Sequence, residues 1–260
     1  VRLGAAMSAP GAAPAGLPPL ARVPLLVLGF VGLVSATAAG LARLGWPLAE
    51  GAAPWGALHG PLMICGFFGV VISLERAVAI GQRWAYAGAL LAGLGSAAAL
   101  HGALAAAPWL YAAASVWLLV ASLLIVRRQR ALFTVTLALG AACWLVGNLL
   151  WLRGAAVHEV MPWWLSFLIL TIAGERLELS RLMPPSRAAR VVVMLLLVAI
   201  VAGLVSSGTV QGGQLFGVAL TGLAMWLLRQ DIARRTVRQR GLTRFIAACL
   251  WSGSAWLAAG

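Results

Sequence analysis

The stretch RALFTVTLALGAACWLVGNLLWLR, residues 130–153, sets 22 uncharged residues between Arg130 and Arg153. Wound as a helix rising about 1.5 Å per residue, they cover about 33 Å, enough to cross a hydrocarbon core about 30 Å thick. Similar apolar runs fill most of the chain, over 23-45, 57-74, 85-107, 109-126, 131-152, 160-178, 191-206, 213-229 and 244-260. The sequence therefore predicts an all-α integral membrane protein with about nine transmembrane helices visible. Open strands would strand backbone donors in lipid, and the alternation of a membrane β-barrel is absent.

Composition agrees. Of 260 residues, 62% are hydrophobic and 10% charged, against about 45–50% and about 25% in a soluble domain. The formal charge of +13 sets nineteen basic residues against six acidic ones, every basic residue being an arginine in short runs between apolar segments. That distribution reports topology and excludes a nucleic-acid footprint. With alternating helices, one face collects Arg2, Arg22, Arg76, Arg83, Arg127, Arg128, Arg130, Arg176, Arg181, Arg187, Arg190, Arg229, Arg234, Arg235, Arg238, Arg240 and Arg244, and the other only Arg43 and Arg153. The arginine-rich face is read as cytoplasmic, together with the amino terminus. Residues 1-21, rich in Ala, Pro and Gly, read as a flexible cytoplasmic tail. Trp46, Trp55, Trp109, Trp151, Trp163 and Trp164 fall near the outer helix ends, where indoles favour the headgroup layer. Cys65, Cys143 and Cys249 lack metal or disulfide spacing and read as small buried hydrophobes.

Three helix starts resemble one another: Arg22 opens RVPLLVLGFVGLVSATAAG, Arg130 opens RALFTVTLALGAACWLVGN, and Arg240 opens RGLTRFIAACLWSGSAWLAAG. Their spacings are 108 and 110 residues, and Glu75-Arg76 recurs as Glu175-Arg176. These markers predict four-helix repeats over 22-129 and 130-239, with 240-260 opening a third. A third unit started but not finished predicts a natural chain of about twelve helices.

The three histidines, His59, His101 and His158, all fall toward the outer side of this topology. A shared depth is what a common site requires, and histidine is the commonest metal ligand. An ionisable group inside a membrane helix is costly and marks a functional candidate. Met63 lies four residues beyond His59, while Gly60, Gly66 and Gly69 allow close approach of another helix or a flat ring.

These residues carry a resemblance. LHGPLMICGFF, with His59, Gly60, Met63 and Ile64, resembles the second helix of heme-copper oxidase subunit I, whose matching histidine binds heme iron. His158-Glu159-Val160 resembles the start of that family's sixth helix, whose histidine binds copper, although the family's proline between His and Glu and its tyrosine after Val are not present here. The NnrS-like proteins, short relatives implicated in nitric oxide responses, are similar in character. The resemblance implies a bacterial inner membrane protein with a redox or gas-binding role. Heme iron would be held by His59, with Met63 or His101 as further cofactor ligands, and copper is implied at His158, so that His59 and His158 are the implied metal ligands. No pair of consecutive histidines lies between Val191 and Ser206, so an oxygen-reducing, proton-pumping centre is not expected.

Glu75, Arg76, Glu175 and Arg176 read as helix-end ion pairs that clamp neighbouring elements. Asn148, Ser73 and Thr171 read as interhelical hydrogen-bonding residues. Two other classes fit the same composition: a non-catalytic subunit of a larger respiratory or photosynthetic membrane complex, and a small-solute transporter. Tight co-purification without a cofactor marks the first, and solute binding by the apoprotein marks the second.

Overall fold

The computed structural model describes residues 16–46, 53–180, 186–231 and 233–259. The first fifteen residues of the expected tail, with Arg2, lie outside the described residues, as do Arg181, Gly260 and the side chains of Trp55 and Arg235. Among the described residues the chain is helical and has no strand. The α-helices are α1 (Pro19–Arg43), α2 (Gly69–Ile80), α3 (Ala87–Leu100), α4 (Ala107–Arg128), α5 (Leu132–Leu152), α6 (Val157–Leu179), α7 (Arg187–Val205), α8 (Val210–Gln230), α9 (Ala233–Thr236) and α10 (Leu242–Ala259). A 3₁₀ turn, Ala53–Leu58, approaches α2, and a second, Arg83–Tyr86, leads into α3. A π-helical segment, Pro61–Phe68, runs directly into α2.

Among the described residues seven helices are long and apolar enough to cross a membrane: α1, the continuous Pro61–Ile80 element, α4, α5, α6, α7 and α8. The two remaining expected spans correspond to α3 and α10. By itself α3 has 14 residues and covers only about 21 Å. The preceding 3₁₀ turn continues into it, because Tyr86 (φ −72°, ψ −14°) and Ala87 (φ −60°, ψ −32°) both keep right-handed helical geometry. At about 2.0 Å per residue that turn adds about 8 Å, bringing the pair to about 29 Å. In α10, Arg244 sits in the first turn, and Ser252, Gly253 and Ser254 dilute the apolar character of the rest.

Helix ends follow from local sequence. After α1, α3 and α5 the chain turns through Gly45, Gly102 and Gly154, each at φ between 81° and 90°. The amides that follow close six-residue loops: Trp46 donates to the Leu41 carbonyl at 3.1 Å, Ala103 to Ala98 at 2.8 Å and Ala155 to Leu150 at 3.0 Å. This geometry satisfies the last helical carbonyls and needs a left-handed residue, hence glycine. At the other ends, Ser186 Oγ accepts from the Ala189 amide at 3.1 Å and Thr209 Oγ1 from Gly212 at 3.0 Å, capping α7 and α8.

The chain forms two compact units, residues 1–121 and 122–260, divided inside α4 rather than between α4 and α5, where the sequence markers place the repeat boundary. In the first unit α1 lies on the π segment, α2 and α3. A methyl group on Gly32 would stand 3.3 Å from the Phe67 amide nitrogen, and one on Gly29 3.2 Å from Val70. Small residues thus set how closely the helices approach. In the second unit α5 and α6 meet the same way: a methyl on Gly140 would stand 3.1 Å from the Phe167 carbonyl oxygen. Trp144 stacks on Phe167 with ring centroids 4.9 Å apart. Trp226 Nε1 donates to the Ala189 carbonyl at 2.8 Å and ties α8 to α7.

Three side-chain expectations change. Trp164, expected among the headgroup anchors, is fully buried, its Nε1 donating to Asn148 Oδ1 at 3.0 Å. Thr171 donates to its own helix at the Phe167 carbonyl, 2.8 Å away, rather than across helices. Cys249 is exposed, unlike the buried Cys65 and Cys143.

Candidate histidine site in the first unit

His59 follows the 3₁₀ turn Ala53–Leu58 and stands at the head of the continuous Pro61–Ile80 element (helix 2), half-buried against α1. Its Nδ1 lies 2.8 Å from the Ala36 carbonyl oxygen. A carbonyl only accepts, so Nδ1 carries the proton, and in the neutral ring Nε2 keeps its lone pair. A histidine oriented by Nδ1–H to a backbone carbonyl is the arrangement that presents Nε2 to a metal.

The same helix makes room for the ring. A methyl group on Gly40, one turn beyond Ala36, would come within 2.9 Å of His59 Nδ1. Ala36 and Ala39 are fully buried. One face of α1, built of alanine and glycine, therefore supplies both the acceptor and the clearance.

Met63 is half-buried within the π segment. A π turn closes i→i+5 bonds, so the i,i+4 alignment expected of His59 and Met63 in an α-helix is loosened. Pro61 brings no amide donor to the ladder, and Gly60, Gly66 and Gly69 lower helix propensity on either side of it.

His101 is exposed and serves as the C-cap of α3, just before Gly102. His158, in the second unit, is exposed in the first turn of α6. Its neighbour Glu159 accepts the Ala156 amide through Oε2 at 3.0 Å and so has a helix-capping role. Among the described residues no group of three or more His, Cys, Asp or Glu could hold a metal ion. Of the expected ion-pair residues, Glu75 is exposed and Arg76 buried at the end of α2, while Glu175 and Arg176 are half-buried near the end of α6. Arg176 Nε is enclosed and makes no hydrogen bond among the described residues.

Sequence reasoning overlooked a second polar contact in this unit. Ser96 Oγ and Tyr111 OH lie 3.0 Å apart in the core between α3 and α4, beneath Gly66 and Gly95. Ser96 also donates to the Ala92 carbonyl at 3.4 Å, which leaves the Tyr111 hydroxyl as donor between the two. With only two tyrosines in the chain, the placement of one in an apolar run was the available signal.

Residues 22–260 match a family described as a domain of unknown function, DUF8744. The chain belongs to that family. Comparison with curated proteins and with solved structures gives no match.

Proposed function

We propose that this DUF8744 chain is a multi-pass inner-membrane protein that holds heme through His59 and has a redox or gas-binding role. The observation that carries the cofactor reading is the His59 ring, fixed through Nδ1 on the Ala36 carbonyl with Nε2 left for a ligand. That nitrogen would ligate a heme iron, and Met63, on the same element, offers a thioether. Heme would supply the redox or gas-binding chemistry, while α1 and helix 2 would orient the ligating nitrogen and limit access of water. Copper is a further candidate at the exposed His158.

The bilayer reading is supported by the outward faces. On α7, Val191, Val192, Met194, Leu195 and Val198 are all more than 40% exposed, an apolar surface that water would penalise. The amino terminus is placed on the cytoplasmic side by the arginine partition. The repeat reading gains support from matched contacts: Gly32 lies on the backbone of Phe67 and Gly140 on that of Phe167. The shift is 108 residues in the first helix of each pair and 100 in the second, the latter also relating Glu75-Arg76 to Glu175-Arg176.

The test is heme quantification and a reduced-minus-oxidised spectrum of the detergent-purified chain and of His59→Ala. One heme per wild-type chain, lost in the variant, is expected. Well-folded wild-type protein without heme overturns the proposal and favours a non-catalytic subunit.

A further inference from the structure

The second unit contains a groove of about 810 Å³ between α6, α8 and α10, within the range of small-molecule sites. Its walls are apolar, from Leu165 and Ile169 on α6 to Phe216 and Leu220 on α8 and Leu250 and Leu257 on α10. The polar groups along it are almost all spent. Thr221 donates to the Gly217 carbonyl at 3.0 Å, Ser254 to Leu250 at 3.0 Å, and Asp231 Oδ1 accepts the Ala233 amide at 2.9 Å. Arg176 is the exception, its Nε enclosed and without a hydrogen bond among the described residues.

Geometry matches this donor to an apolar slot of one leaflet's depth. From Leu165 to Arg176 α6 rises about 16 Å, about half of a hydrocarbon core about 30 Å thick. Arg176 and Asp231 therefore mark the polar end. Asp231 is the one acidic residue of the lining, but Arg229 at the end of α8, Arg234, Arg238 and Arg240 beyond it and Arg244 in the first turn of α10 are all exposed. The net field at that end favours an anion.

We propose that this groove is a binding site for an anionic phospholipid of the cytoplasmic leaflet, one acyl chain lying along α6, α8 and α10 and the phosphate accepting from the guanidinium of the half-buried Arg176. A guanidinium suits a phosphate through charge-assisted hydrogen bonds. The inference rests on the bilayer reading above, which resistance of the chain to alkaline carbonate extraction tests separately.

The experiment is native mass spectrometry of the full chain in neutral detergent with equimolar phosphatidylglycerol and phosphatidylcholine of the same acyl composition. One phosphatidylglycerol per chain is expected, with about fivefold preference over phosphatidylcholine, the discrimination that one basic side chain near a headgroup supplies. Arg176→Gln should abolish the preference. Gly217 and Gly253 line the groove, and a methyl group on either would meet nothing within 4 Å. Gly217→Leu and Gly253→Leu should therefore fill the groove and expel either lipid while leaving the melting temperature near wild type. Equal retention of both lipids, an undiminished preference in Arg176→Gln, or undiminished lipid in the leucine variants overturns the assignment, as does a bound polypeptide in place of lipid. Any of these results in a carbonate-resistant chain removes the lipid site alone.

Discussion

At the scale of single residues, Gly40 and His59 depend on each other. Any side chain at position 40 meets the imidazole, so Gly40→Val should push His59 off the Ala36 carbonyl and lower heme occupancy, at a stability cost of about 1–3 kcal/mol from overpacking. Heme content measured beside thermal unfolding checks this, because simple destabilisation would leave the folded fraction loaded. A second residue-scale prediction concerns the Trp164–Asn148 hydrogen bond. A double-mutant cycle with Trp164→Phe and Asn148→Leu should give a coupling of about 0.6–1.7 kcal/mol, the range of hydrogen bonds between helices in lipid. A coupling near zero would reduce the bond to incidental contact. His59 stands out in the sequence as a candidate because it is a histidine among glycines in an apolar run. Its tautomer was not legible there, since that depends on a carbonyl 23 residues earlier in the chain. Trp164 was misplaced for a related reason: depth along a helix is readable from spacing, but which side of the helix faces a neighbour is not, and Trp164 faces α5.

Among the elements, α1 with helix 2 and α5 with α6 repeat one contact, a glycine of the first helix lying on the phenylalanine backbone of the second. Backbone cannot move aside as a side chain can. Gly32→Leu and Gly140→Leu should therefore each separate their helix pair and cost about 1–3 kcal/mol, measured by unfolding in detergent. Comparable losses support the repeat, and a neutral Gly32→Leu beside a damaging Gly140→Leu would count against it. Helix existence was readable from apolar length, although the span expected over 85-107 stops as an α-helix at Leu100, before Gly102. The π winding of Pro61–Phe68 was not readable. A π turn is stabilised by the packing around it rather than by a distinctive composition, so periodicity set for 3.6 residues per turn passes over it. The 3₁₀ entry to α3 escaped notice in the same way, and with it the brevity of the α-helical part.

For the whole molecule, the proposed orientation rests on the arginines. Reporter fusions ending after Gln129 should be active on the cytoplasmic side, and fusions ending after Gly154 on the opposite side; the reverse pattern would invert the topology. The groove between α6, α8 and α10 had no sequence signature, because its lining residues come from three helices and are individually ordinary. Its one unspent donor, Arg176, had drawn notice only as a helix-end clamp. The proposed activity, by contrast, depends on a single ring nitrogen in the first unit. Its most direct measurement is the reduced-minus-oxidised spectrum of purified His59→Gly with and without added imidazole, compared with wild type. A heme band present in wild type, lost in His59→Gly and restored by imidazole is the predicted result. An unchanged band in His59→Gly, or none in folded wild-type protein, would contradict it.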